Sequence, residues 1–107
     1  MLFAEKIWGS SRVLDVGSDS LTVKVTLNPG HGMNYHSHER RSEVWTVISG
    51  TGYVIIDGIE RVVATSDVIE LPVGCKHTVK ASDSGLQITE VQKGEDIKVS
   101  DKIKHQS

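Results

Sequence analysis

This chain is short of cysteine and aromatic residues, has no excess of either charge and has no long hydrophobic run. A single cysteine, Cys75, in 107 residues excludes an internal disulfide and suits the reducing cytoplasm, where we expect the protein to reside. Aromatics make up 5% of the chain, and 12 Lys and Arg against 14 Asp and Glu give a formal net charge of −2. No basic stripe interleaves with aromatics, so nucleic acid is not expected as a partner. The opening segment, Met1 to Trp8, is too short and too charged for a signal peptide or a membrane span. A chain of 107 residues is expected to be one domain, 1–107, with a single core and little surplus. A homodimer would supply further burial, and we expect one.

What the chain does have is a succession of short alternating or apolar runs. They cover Ser11–Val16, Leu21–Leu27, Glu43–Ile48, Tyr53–Ile56, Arg61–Ala64, Val68–Leu71, Thr78–Ala81 and Leu86–Val91. Clusters of Gly, Ser, Asp and Asn separate them, among them Ser49-Gly50-Thr51-Gly52 and Ser82-Asp83-Ser84-Gly85. Strands of this length, rich in Val and Ile, predict an all-β sandwich or barrel. Asp57-Gly58 between apolar runs predicts a tight hairpin. No stretch sustains a helical period over three turns, and the polar tail from Gly94 to Ser107 is expected to be extended or frayed.

The chemistry concentrates between residues 30 and 43. His36-Ser37-His38 places two imidazoles on one face of an extended strand, because side chains repeat every second residue. Glu43 follows five residues later, and His77, after Pro72-Val73-Gly74-Cys75-Lys76, is a fourth candidate that a turn brings back. Three neutral imidazoles and a carboxylate leave positions open on a divalent ion such as Mn, Fe, Co or Ni, or on a five-coordinate Zn. The competing reading makes the pair surface histidines and Glu43 a solvated charge; the added Glu43 and His77 weigh against it. His31 and His105 lack such companions and are expected to be exposed. Cys75 is either a further ligand or a small turn residue, and the absence of a second cysteine favours the turn residue.

Arg40 and Arg41 are adjacent, so only one should enter a cavity, where it could grip phosphate or carboxylate. Lys76 and Lys80 are expected on solvated faces. Glu90 is either an edge-strand charge or an inward proton-transfer group. Trp45 and Val47 share parity with Glu43 and should line the cavity wall, while Trp8 should cap the barrel or an interface.

The pattern Gly30-x5-His36-x-His38-x4-Glu43-x6-Gly50 resembles the first signature of the cupin superfamily, and Pro72-x-Gly74-x2-His77 resembles the core of the second. The second signature usually opens with Gly and ends with Asn, where this chain has Ser66 and Ala81. The resemblance implies a double-stranded β-helix, or jelly-roll barrel, with His36, His38, Glu43 and His77 as metal ligands. A closer resemblance covers nearly the whole chain. Trp8-Gly9-Ser10, Val13-Leu14-Asp15, Arg41-x-Glu43-x-Trp45, Ser49-Gly50-Thr51, Asp57-Gly58 and Glu90-Val91-Gln92-x-Gly94 resemble the C-terminal cupin domain of type II mannose-6-phosphate isomerases.

In that family the domain commonly follows a mannose-1-phosphate guanylyltransferase domain, for which this chain is too short and lacks a Gly-rich nucleotide loop. It therefore resembles the isomerase module alone. The family ties isomerase activity to an Arg two residues before the ligand Glu, which singles out Arg41 over Arg40. Two positions depart from the family: His36 stands where Gln is usual, and Val44 where His is usual. The resemblance implies one divalent metal, a sugar-phosphate ligand and interconversion of mannose 6-phosphate and fructose 6-phosphate; such a reaction needs a proton shuttle, for which Glu90 and Lys24 are the candidates. The alternatives are a non-catalytic sugar-binding cupin and, behind it, a metal-dependent dioxygenase.

Overall fold

Alternation of Val, Ile and Leu with polar residues builds nine β-strands among the described residues of the computed structural model. It describes residues 3–38, 40–94 and the backbone of 102–104. The strands are β1 (Phe3–Lys6), β2 (Gly9–Val16), β3 (Ser20–Leu27), β4 (His36–His38), β5 (Ser42–Ile56), β6 (Ile59–Ala64), β7 (Val68–Leu71), β8 (His77–Lys93) and β9 (Lys102–Lys104). The strand pairings among the described residues are antiparallel. Among the described residues no helix is long and apolar enough to cross a membrane.

The runs expected as separate strands at Glu43–Ile48 and Tyr53–Ile56 are one strand, the 15-residue β5. Likewise Thr78–Ala81 and Leu86–Val91 fuse into the 17-residue β8. The Gly- and Ser-rich segments between them bend a continuous strand instead of reversing it. The β5–β8 register shifts between Val47 and Ser49 and again between Gly50 and Gly52, as bulges do. Gly50 at φ 86° and Gly85 at φ 77° take the left-handed backbone this bend needs. A Cβ on Gly50 would run into the Gly85 carbonyl oxygen, so the two bends touch backbone to backbone.

Because they bend, β5 and β8 each serve two groups of strands. The second half of β8 lies between β3 and the first half of β5, whose other side pairs with β7. The first half of β8 lies between β4 and the second half of β5, whose other side pairs with β6. The interior is filled from both groups, by Val25 and Leu27 of β3, Trp45 and Val54 of β5, and Val79 and Ile88 of β8. Full burial of each such aliphatic side chain contributes about 1.5–3 kcal/mol relative to exposure. Trp8, in the β1–β2 turn, is partly buried and packs on this core, as expected of a cap.

The Asp57-Gly58 hairpin is present, closed by the Ile56–Ile59 pair. Both turn residues have positive φ, 47° and 84°, as the tight turn matching strand twist requires. Ser66, at φ 78°, keeps the left-handed backbone of a position where the resembled signature has glycine. Of the tail from Gly94, residues 102–104 are extended and pair with β4. The expectations for residues 95–101 and for His105 lie outside the described residues.

Candidate metal centre

The two ligand-bearing segments meet because β4 pairs with the start of β8, His36 directly opposite His77. Alternation on β4 then puts His38 beside them. All three rings are buried, with exposures of 4% for His36, 3% for His38 and 2% for His77. Their ligand nitrogens all lie within 4.8 Å of one another.

Backbone carbonyls set the tautomers. His36 Nδ1 is 2.7 Å from the Asn34 carbonyl oxygen, and His77 Nδ1 is 3.1 Å from that of Cys75. A carbonyl only accepts, so each Nδ1 donates and each Nε2 carries the lone pair, the arrangement that orients metal-binding histidines. Burial holds the His77 pKa below its usual value, against the opposing pull of Glu43, which keeps the ring neutral. His77 Nε2 is buried with no hydrogen-bond partner among the described residues. A buried lone pair facing two other imidazoles is the donor a divalent cation would satisfy.

Glu43 joins the cluster through His38. Its Oε2 lies 3.0 Å from His38 Nε2 and accepts a hydrogen bond from Arg41 Nε at 3.0 Å. Its Oε1 accepts from the Trp45 indole at 2.7 Å. Among the described residues the group within 4.8 Å is the three imidazoles, and Glu43 contacts it through His38. Burial opposes ionisation of Glu43, but hydrogen bonds from His38 and Trp45 and the charges of Arg41 and His38 together outweigh it. The carboxyl is held down at about 2, so it is an anion at neutral pH.

The remaining candidates divide by side-chain parity. Arg41 is the inward arginine: its side chain is 11% exposed, and Nη2 lies 3.1 Å from His38 Nε2. Arg40 is exposed. Glu90 is buried at 6%, and β8 is flanked there by both Val23 of β3 and Trp45 of β5, so it is no edge-strand charge. Lys24 must be corrected as a proton shuttle. Val23 and Val25 point into the core, and Lys24, between them, is placed on the opposite face, across from Thr89. Lys76, Lys80 and His31 are exposed, as expected.

Cys75 is buried, but its Sγ lies 3.7 Å from His77 Nδ1, the nitrogen turned away from the cluster. It is a turn residue and stands outside the ligand group. Val44, the departure next to Glu43, lies on the outer face at 38% exposure and alters nothing inside. Trp45 does line the wall, its ring 5.4 Å from that of His77, but its hydrogen bond to Glu43 had no signal in the sequence. Gln92 was assigned no role from the sequence, although the alternation Leu86, Ile88, Glu90, Gln92 puts it on the inner face.

The family model described as mannose-6-phosphate isomerase C-terminal matches residues 3–106. A mannose-1-phosphate guanylyltransferase of Escherichia coli is 29% identical over 98 residues, which are 91% of this chain and 20% of that protein. The chain thus spans about a fifth of the length of this relative. Among solved structures, a variant of oxalate decarboxylase from Bacillus subtilis superposes with a TM-score of 0.87 at 20% identity, covering 95% of this chain and 29% of that one. An RmlC-like cupin from Shewanella frigidimarina gives 0.77 at 23% identity, covering 86% and 83%. The fold is the all-β cupin double-stranded β-helix.

Proposed function

Because the chain belongs to the family of mannose-6-phosphate isomerase C-terminal domains, we propose that it is a metal-dependent sugar-phosphate isomerase that interconverts mannose 6-phosphate and fructose 6-phosphate. The observation that carries this reading is the convergence of His36, His38 and His77, with Glu43 and Arg41 against them, inside the barrel. His36, His38, Glu43 and His77 would hold a divalent ion such as Zn, Mn, Fe, Co or Ni, which when bound supplies Lewis-acid polarisation of substrate oxygens.

Aldose–ketose isomerisation moves a proton between adjacent carbons through an enediol. It needs a base, a stabiliser of developing negative charge and a hold on the phosphate. Arg41 is fixed through Nε and Nη2, which leaves Nη1 for an anionic oxygen of phosphate or enediolate. Glu90, facing inward two residues from Gln92, takes and returns the proton. Lys24, on the outer face, has no part in it. The barrel wall, including Trp45, keeps bulk water from the reacting carbons.

Protein loaded with metal and incubated with mannose 6-phosphate in deuterated water should place deuterium at the exchanging carbon and build up fructose 6-phosphate. Saturable binding without deuterium incorporation would replace this reading with that of a non-catalytic sugar-binding cupin.

A further inference from the structure

We propose that Gln92 is a sugar-binding residue: its side-chain oxygen accepts a hydrogen bond from one hydroxyl of the substrate, while its nitrogen holds Glu90. This deepens the reading above and rests on it for the sugar. Gln92 is 6% exposed, and its backbone pairs directly with that of Glu43, so the two side chains start side by side on the inner face. Its Nε2 donates to Glu90 Oε1 at 3.2 Å. That bond fixes which way the amide points, since the reversed amide would set oxygen against carboxylate oxygen.

The amide oxygen is then buried with no hydrogen-bond partner among the described residues. Buried amide oxygens ordinarily find a donor. The Trp45 indole and Arg41 Nε are already committed, to Glu43 Oε1 and Glu43 Oε2. A ligand dense in hydroxyls supplies the missing donor, and a phosphorylated sugar is such a ligand. Gln92 thus links substrate orientation to the placement of Glu90.

The test is calorimetric binding of mannose 6-phosphate and its monodeoxy analogues to the metal-loaded full chain, with Gln92→Leu beside the parent protein. Gln92→Leu should weaken mannose 6-phosphate binding about 10- to 100-fold. One deoxy analogue should bind both proteins with equal weakness, because the hydroxyl and its acceptor are lost only once. A purely structural role would weaken every analogue by the same factor, and that pattern, or undiminished binding by the variant, overturns the proposal. Gln92→Met, with metal content and unfolding midpoint as checks of folding, replaces the leucine variant should that one not fold. Binding without deuterium exchange in the parent protein sinks the isomerase reading and leaves Gln92 judged on affinity. No binding of mannose 6-phosphate by the parent protein sinks the Gln92 proposal.

Discussion

Replacing His77 with alanine should abolish stoichiometric metal retention, lowering divalent-ion affinity by at least about 100-fold. Its Nε2 is buried with no partner among the described residues, and among these no other side chain joins the group of three imidazoles. The variant should still fold. Truncating a buried ring leaves a cavity, but it also removes an unsatisfied buried nitrogen, which offsets part of the cost. Metal at 100 times its Kd should stabilise the parent protein by about 2.7 kcal/mol, and this increment should vanish in His77→Ala. His31→Ala supplies the control, because that ring is exposed and hydrogen-bonded to the Pro29 carbonyl; it should bind metal like the parent. Dialysis followed by elemental analysis, with a thermal melt with and without added metal, reads both results.

Arg41→Ala should lower kcat/KM for mannose 6-phosphate by about 100- to 1,000-fold, the range seen when a preorganised charge-stabilising donor is removed. The structure adds a second effect that the sequence did not reveal. Arg41 bonds to Glu43 Oε2 and reaches His38 Nε2, so it also orients two proposed ligands. Metal affinity should therefore fall about 10- to 100-fold, as with other residues that hold ligands in place. Turnover is best compared at saturating metal, where the four proposed ligands are all still present in the variant. Arg41→Lys restores the charge but not the planar fork, and should recover little of the rate. Arg40→Ala, at an exposed position, should behave as the parent. Parental turnover in Arg41→Ala at saturating metal would remove that side chain from the reaction.

The meeting of the three histidines was more legible in the sequence than the continuity of the strands. His-x-His on an extended strand, a trailing acid and a distant histidine were readable because metal chemistry restricts both residue type and spacing. The Asp57-Gly58 hairpin was readable because few dipeptides accept two positive φ angles. Strand continuity was not, since Gly- and Ser-rich segments serve bulges as readily as turns, and only pairing partners tell them apart. Those partners are distant in sequence, as Gly50 and Leu86 are. The role of Glu90 depended on the same information, because whether β8 is an edge or a centre strand is a property of the sheet. Lys24 is different: the alternation Leu21, Val23, Val25, Leu27 already placed it outward, and that signal was legible.

X-ray absorption at the edge of the metal retained by the purified protein tests the account most directly. It should find one ion per chain, a first shell of nitrogen and oxygen near 2.0–2.2 Å, and scattering from three imidazoles that drops to two in His36→Ala measured with saturating added metal. A sulfur in the first shell, or an ion whose spectrum is untouched by loss of His36, would mean that these rings do not share a cation.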